Sequence, residues 1–149
     1  MIPYHQDSHS VLYHGDSRVV LAGLAPESVD MILTSPPYDT LRDYGGHGFD
    51  FEGIAAAIMR VLKQGAVCVW VVGDMSIERS ESGTSMRQAL CFLDHGLRLH
   101  DTMIYEKNGA SFPSQDKYYQ IFEFMFILSK GKPKTFNLLK DRKNLWGSS

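Results

Sequence analysis

Four consecutive residues, Ser35-Pro36-Pro37-Tyr38, carry groups that could hold a flat ligand bearing an amino group. Each proline fixes its own φ and lacks an N–H, and each drives the residue before it towards extended geometry. The carbonyls of Ser35 and Pro36 therefore point in set directions, next to one hydroxyl and one aromatic ring. Such a rigid turn predicts a clamp for an NH2-bearing ring.

The residues before this turn predict the strand that positions it. Residues 29–33 read Val-Asp-Met-Ile-Leu and stop at Thr34 and the proline pair, as a buried strand ending in a loop of fixed shape does. Upstream, residues 11–17 predict a short strand that ends at Gly-Asp, and residues 18–24 predict a short helix. A proline pair can also simply end a strand, so the tetrapeptide alone leaves a structural role open.

Hydrophobic periodicity predicts two longer helices and three strands downstream. In chain order they are a helix over 51–63, a strand over 66–72, a helix from 84 or 85 to 96, and strands over 97–106 and 119–130. The continuous apolar run of the first strand is typical of a central strand buried on both faces. The last two strands can pair as an antiparallel hairpin at the sheet edge. The predicted fold class is α/β.

Length and composition predict one soluble domain. The 149 residues can bury a core, and the formal net charge of −2 neither supports nor excludes a polyanionic partner. No signal peptide or membrane-spanning run is visible, so the expected compartment is the cytoplasm and no membrane partner is expected. Cys68 and Cys91 have neither metal-site spacing nor a disulfide framework, and no metal site is predicted.

Ser35-Pro36-Pro37-Tyr38, with strand, Gly-Asp-Ser and helix before it, resembles the amino-directed DNA methyltransferases whose catalytic half comes first. The resemblance implies methyl transfer from S-adenosylmethionine to the exocyclic nitrogen of cytosine (N4) or adenine (N6) in DNA. Ser35 and the Pro36 carbonyl would accept hydrogen bonds from that amino group, and Tyr38 would stack on the flipped base. In this family, serine at the first position of the tetrapeptide favours cytosine N4 over adenine N6 as the methylated atom. Neither cysteine follows a proline, which argues against methylation at cytosine C5.

The resemblance also implies contacts with double-stranded DNA. Arg42 and Tyr44, in the glycine-rich loop after the tetrapeptide, are candidates for a phosphate contact and for stacking. Lys107 and Lys117 flank a second loop that is a candidate nucleic-acid contact. Solvated loop residues are the alternative at these positions. Asp74 either lines the target-base pocket or belongs to a plain turn after its strand.

One part of the family pattern does not appear in this sequence. These enzymes fix the cofactor with a strand followed by Phe-x-Gly-x-Gly, and no strand here precedes a Gly-x-Gly. Asp16, Thr34 and Ser35 are expected near the cofactor, in a site that is incomplete. Residues 1–149 are therefore predicted to be the catalytic half of a methyltransferase domain, truncated before the cofactor half. Its α/β core would span 1–129, a partial Rossmann-like sheet with flanking helices and a C-terminal hairpin, followed by a basic tail over 130–149.

Two other functions remain open at this point. A non-catalytic remnant of the methyltransferase fold could bind DNA or associate with itself, since missing strands would leave exposed sheet edges and favour a homodimer. A methyltransferase acting on RNA or a small molecule is the third hypothesis.

Overall fold

The computed structural model describes residues 2–37, 49–109 and 120–137, and within these ranges three helices are interspersed among eight strands. In chain order the elements are β1 (His5–Gln6), β2 (Val11–Leu12), α1 (Ser17–Gly23), β3 (Val29–Thr34), α2 (Phe51–Val61), β4 (Leu62–Val72), β5 (Ser76–Ile77), β6 (Ser80–Glu81), α3 (Thr84–Asp94), β7 (Arg98–Glu106) and β8 (Phe122–Ser129).

A mixed four-stranded sheet in the order β3-β4-β8-β7 forms the centre of the fold. β3 and β4 run parallel, and β8 is antiparallel to both of its neighbours. The α/β class and the antiparallel hairpin at the sheet edge are confirmed. β2 (Val11–Leu12) lies within the short strand predicted over residues 11–17 and pairs with β1. β1 and the hairpin β5-β6 lie in polar stretches for which no strand was predicted.

The hydrophobic core lies between one face of this sheet and helices α2 and α3. Trp70 of β4 is 1% exposed, and its ring meets Phe92 of α3 with 5.0 Å between the ring centroids. Phe51, at the start of α2, contacts both rings edge to face at 5.6 and 5.1 Å. The Trp70 indole N–H donates to Gln88 Oε1 at 2.8 Å, so the one polar group in this cluster is satisfied.

Helix α2 ends at Val61, two residues before the predicted end at Lys63. The next residue, Leu62, has extended φ and ψ and pairs with Val29 at the start of β3. The side chain of Lys130 closes the helix, since its Nζ donates to the carbonyls of Met59 and Leu62 at 3.1 and 2.9 Å. A cation at a helix C-terminus satisfies carbonyls that have no partner within the helix and complements its dipole.

Lys130 also pairs with Glu27 at 3.2 Å, and it is only 8% exposed. The sequence puts Lys130 at the start of the basic tail, and the structure shows that this side chain is buried against the end of α2. Its charge serves the fold, by joining the end of β8 to α2 and to the turn before β3.

Asp50 begins α2, and its capping role makes a pH-dependent contribution to stability. The backbone N–H of Gly53 donates to Asp50 Oδ1 at 3.0 Å, and this bond, followed by the Arg18 guanidinium, lowers the pKa of Asp50 below its ordinary 3.8. A carboxyl whose pKa falls on folding stabilises the protein above the unfolded-state pKa. That contribution is lost as the pH falls through the folded-state pKa.

We therefore expect the free-energy difference between the wild type and Asp50→Asn to shrink as the pH falls below 3.8. Asparagine keeps a capping oxygen but does not titrate, so the comparison isolates the charge. Urea unfolding between about pH 2.5 and 6 measures it. A difference that stays constant across this range would show that the Asp50 charge does not stabilise α2.

Candidate active site

Ser35, Pro36 and Pro37 leave the sheet at the carboxyl end of β3. The last residue of that strand, Thr34, lies opposite Trp70 of β4. Ser35 is exposed, Pro36 is buried and Pro37 is half-buried, so the turn has one side in the protein and one side open. In open α/β sheets this edge is where ligands bind.

The turn lines a cavity of about 400 Å³ between β3 and the helices α1 and α2. The polar side is formed by Thr34 and Ser35 from β3 and its turn, and by Gly15 and Ser17 from the segment that follows β2. The apolar side comes from both helices and from β4. The remaining lining residues are Tyr13, Val20, Leu21, Ile32, Pro36, Pro37, Phe49, Ile54, Ile58 and Trp70.

Asp16 lies between two lining residues of this cavity, and its carboxylate caps helix α1. The backbone N–H of Arg18 donates to Asp16 Oδ1 at 2.8 Å, and Arg18 Nη2 donates to Oδ2 at 2.7 Å. Arg18 also reaches Asp50 at 3.3 Å. The hydrogen bonds that Arg18 donates to these two carboxylates, Asp16 first, raise the pKa of the Arg18 guanidinium. Arg18 therefore links the first turns of α1 and α2; a cofactor role for Asp16 stays a prediction.

Asp74 follows β4, and its contacts are those of a structural cap. Asp74 accepts hydrogen bonds from the Ser85 backbone N–H at 2.9 Å, from the Ser82 hydroxyl at 3.2 Å and from the Ser85 hydroxyl. Helix α3 needs this cap because its own N-cap residue, Gly83, has no side chain to supply one. The contacts support the turn alternative for Asp74 over the base-pocket alternative.

The predicted DNA contacts fall mostly outside the described residues. Tyr38, Arg42, Tyr44 and Lys117 all lie there. Lys107 is described, and its Nζ pairs with Glu123 Oε1 on the neighbouring strand at 3.0 Å. The side chain is 41% exposed, so a phosphate contact would compete with that ion pair. Its role in binding DNA stays a prediction.

Cys68 does not provide a nucleophile at this site. Cys68 is fully buried in β4, and burial raises the pKa of its thiol to about 12. A thiol with that pKa stays protonated at neutral pH and is a poor nucleophile. Across residues 2–37, 49–109 and 120–137, no group of three His, Cys, Asp or Glu side chains is placed to hold a metal ion. No helix in these ranges is long and apolar enough to cross a membrane.

Comparison with known proteins shows to which family this chain belongs. Residues 29–145 match the family model described as DNA methylase, of the N6/N4 type. The chain belongs to this DNA methylase family. A curated relative, the orphan methyltransferase M.BamHII of Bacillus amyloliquefaciens, is 60% identical over 119 residues, which are 80% of this chain and 45% of the relative.

Solved structures place this methylase-family chain in the same fold. The PvuII DNA methyltransferase, named as cytosine-N4-specific, has a TM-score of 0.74 at 20% identity, covering 89% of this chain and 53% of the other. A DNA modification methylase of Thermus thermophilus, solved in complex with S-adenosyl-L-methionine, has a TM-score of 0.63 at 24% identity, covering 85% and 57%. The methyltransferase fold is confirmed. The chain spans about half the length of these relatives.

Proposed function

We propose that this chain is the catalytic half of a DNA methyltransferase that methylates the exocyclic amino group of cytosine (N4) or adenine (N6). The observation that carries the proposal is the position of Ser35, Pro36 and Pro37. They follow parallel strand β3 at its carboxyl end and line a cavity large enough to admit a small ligand. Membership of the DNA methylase family supports the same chemistry.

The target nitrogen is a poor nucleophile because its lone pair is delocalised into the ring. Two acceptors on its two hydrogens, the Ser35 hydroxyl and the Pro36 carbonyl, favour a pyramidal nitrogen with a localised lone pair. The proline pair holds both acceptors in place before the base arrives. Catalysis is then by positioning and electrostatics, with direct in-line transfer and no covalent enzyme intermediate.

S-adenosylmethionine supplies an electrophilic methyl group on a sulfonium centre. The cavity fits part of such a cofactor, since Gly15, Ser17, Thr34 and Ser35 offer backbone groups and hydroxyls beside an apolar wall. Asp16 would lie near it, although its carboxylate already accepts from Arg18. No Gly-x-Gly directly follows a predicted strand in the sequence, and we infer that a second half of the enzyme completes the cofactor site.

Double-stranded DNA is the proposed partner, with the target base flipped out of the duplex. Tyr38 would stack on the flipped base, Arg42 would contact a phosphate and Tyr44 would stack. Lys107 and Lys117 would contact the phosphate backbone of the DNA. A serine at the head of the tetrapeptide favours cytosine N4 over adenine N6 as the target.

A chimera tests this function directly. The residues of this chain that match M.BamHII would replace their counterparts in that enzyme, which share 60% identity over 119 residues. The chimera is expected to transfer labelled methyl groups to duplex DNA, and digestion to nucleosides is expected to yield N4-methylcytosine. Detection of N6-methyladenine instead would show that adenine is the target base, and the proposed type of reaction would be unchanged. A folded chimera that binds DNA and transfers no methyl group would instead support a non-catalytic remnant.

A further inference from the structure

The short hairpin β5-β6 begins at the same edge of the sheet as the candidate active site. β4 runs parallel to β3 and beside it, with Trp70 opposite Thr34. The segments that follow these two residues therefore leave the sheet side by side, Ser35 after β3 and the hairpin after β4. Neighbouring strands lie about 4.8 Å apart. A DNA duplex that delivers a base to Ser35 therefore passes close to the hairpin.

The base of this hairpin is fixed to the rest of the fold. The backbone N–H of Met75 donates to Ser82 Oγ at 3.2 Å, and the Ser82 N–H donates to the Met75 carbonyl at 2.7 Å. The Ser82 hydroxyl donates to Asp74 at 3.2 Å, and Arg87 of α3 donates to the Ser82 carbonyl. Beyond this base, residues 76–81 are all exposed, and β5 and β6 form a sheet of their own. The hairpin is thus an exposed ribbon on a firm support.

The tip of the hairpin has an unfavourable backbone conformation. Ile77 pairs with Ser80, which leaves Glu78 and Arg79 as a two-residue turn. Both residues have positive φ, 48° and 68°. A turn with this pattern normally carries Asn-Gly, because a residue with a long side chain is disfavoured at positive φ. Strain held at an exposed turn suggests that the side chains themselves are used.

A glutamate next to an arginine complements one edge of a G·C base pair. In the major groove, guanine presents O6 and N7 as acceptors that one arginine can bind with two hydrogen bonds, and cytosine presents its N4 amino group to a carboxylate. The groove is about 12 Å wide and 8.5 Å deep, and it admits a two-stranded ribbon. An arm of three residues, from Met75 to Glu78, spans about 10 Å, so the tip can reach the base edges.

The charge of the tip argues against a simple phosphate contact. Residues 76–81 contain one cation, Arg79, and the two carboxylates of Glu78 and Glu81. Binding to the phosphate backbone is carried by an excess of lysine and arginine, and carboxylates weaken it. A donor and an acceptor on adjacent residues fit a base edge better than they fit a row of phosphates.

We propose that the β5-β6 hairpin reads a G·C base pair in the major groove of the DNA. Arg79 donates to guanine O6 and N7, and Glu78 accepts from the N4 amino group of the paired cytosine. The inference rests on the proposed function, since it needs a duplex at the carboxyl edge of the sheet. It adds a sequence requirement, a G·C pair close to the methylated base. The two side chains determine specificity and take no part in methyl transfer.

The test uses the M.BamHII chimera described above, carrying residues 75–82 of this chain. Duplexes randomised around the methylated base are sequenced after methylation and, separately, after selection for binding. We expect a G·C pair to be required at one position. Arg79→Ala is expected to lower the preference for G·C over A·T there, measured as a ratio of kcat/KM values, by about 10-fold to 100-fold. The change should fall on KM, with kcat on the preferred duplex unchanged.

Two variants separate recognition from folding. The double variant Glu78→Asn, Arg79→Gly gives the turn its favoured residues, so it should keep or strengthen the hairpin and still lose the preference. Arg98→Ala is the matched control, because Arg98 is also an exposed arginine but lies at the start of β7, on the opposite edge of the sheet. This variant is expected to keep the full preference.

Unchanged sequence preference in Arg79→Ala would overturn the proposal. So would an equal loss of binding on all sequences together with a salt dependence reduced by about one counterion, because that pattern identifies a phosphate contact. The selection for binding does not depend on methyl transfer, so the two proposals fail separately. A chimera that selects a G·C pair through Arg79 and transfers no methyl group would support the hairpin and reject the proposed function. Methyl transfer with a preference that no tip variant alters would do the reverse.

Discussion

Ser35→Ala in the M.BamHII chimera is expected to lower the rate constant for methyl transfer by about 100-fold to 1,000-fold. The hydroxyl is one of two acceptors that the proposal places on the target amino group. Its loss leaves the nitrogen lone pair delocalised in the transition state. The effect should fall on kcat, with little change in KM for DNA, because the interaction is made mainly when the methyl group moves. Single-turnover transfer of labelled methyl groups measures it.

Two further variants make this prediction specific. Ser35→Asn keeps an acceptor at the same place and is expected to retain much more of the rate than alanine does. Ser8→Ala removes an exposed hydroxyl that does not line the cavity, and it should leave the rate unchanged. A Ser35→Ala chimera with a near wild-type kcat would remove the hydroxyl from the mechanism.

Trp70→Ala is expected to lower the free energy of unfolding of the 149-residue chain by about 3 to 5 kcal/mol. Trp70 is 1% exposed, and its ring packs edge to face against Phe51 and Phe92. Truncation removes that contact area, leaves a cavity and deprives buried Gln88 Oε1 of its donor. Because a small domain is stable by only about 5 to 15 kcal/mol, this is a large share of the total. Urea denaturation followed by circular dichroism measures it.

Two further variants serve as comparisons for Trp70→Ala: Trp70→Phe as an intermediate case and Met86→Ala as a control at an exposed position. Phenylalanine keeps most of the ring packing but not the N–H, so its cost should lie between those of the wild type and the alanine variant. Met86 is 49% exposed on α3, and its truncation should change the free energy of unfolding by no more than about 0.5 kcal/mol. A Trp70→Ala loss below that of Trp70→Phe would show that the aromatic cluster is not the centre of the core.

Sequence periodicity was sufficient for the two longer helices, because burial on one side repeats at a fixed interval along each of them. The apolar run over residues 29–33 was sufficient for the existence of β3, but its predicted burial was wrong: Met31 and Leu33 are 57% and 68% exposed, because β3 is the end strand of its sheet in the described part of the structure.

Sequence periodicity could not give the end of α2. That end depends on Lys130, whose Nζ reaches carbonyls at Met59 and Leu62 from the far end of β8. A contact between residues so distant in sequence leaves no local signal.

The candidate site also has a part that could be predicted from the sequence and a part that could not. Thr34, Ser35, Pro36 and Pro37 are consecutive, so their common position at the end of β3 follows from the sequence alone. The rest of the cavity wall, including Tyr13, was not predicted. These residues come from separate segments, and only the packing of α1 and α2 against the sheet brings them together.

The order of strands in the sheet also determines when the fold can be completed during synthesis. β7 pairs with β8, and β8 is the strand that joins β7 to β4. β7 therefore leaves the ribosome before β8, the strand with which it pairs. The parallel pair β3-β4 can form earlier, with the other edge of β4 still unpaired. Until β8 has emerged as far as Ser129, the edges of β4 and β7 that pair with it both remain open to chaperones and to neighbouring nascent chains.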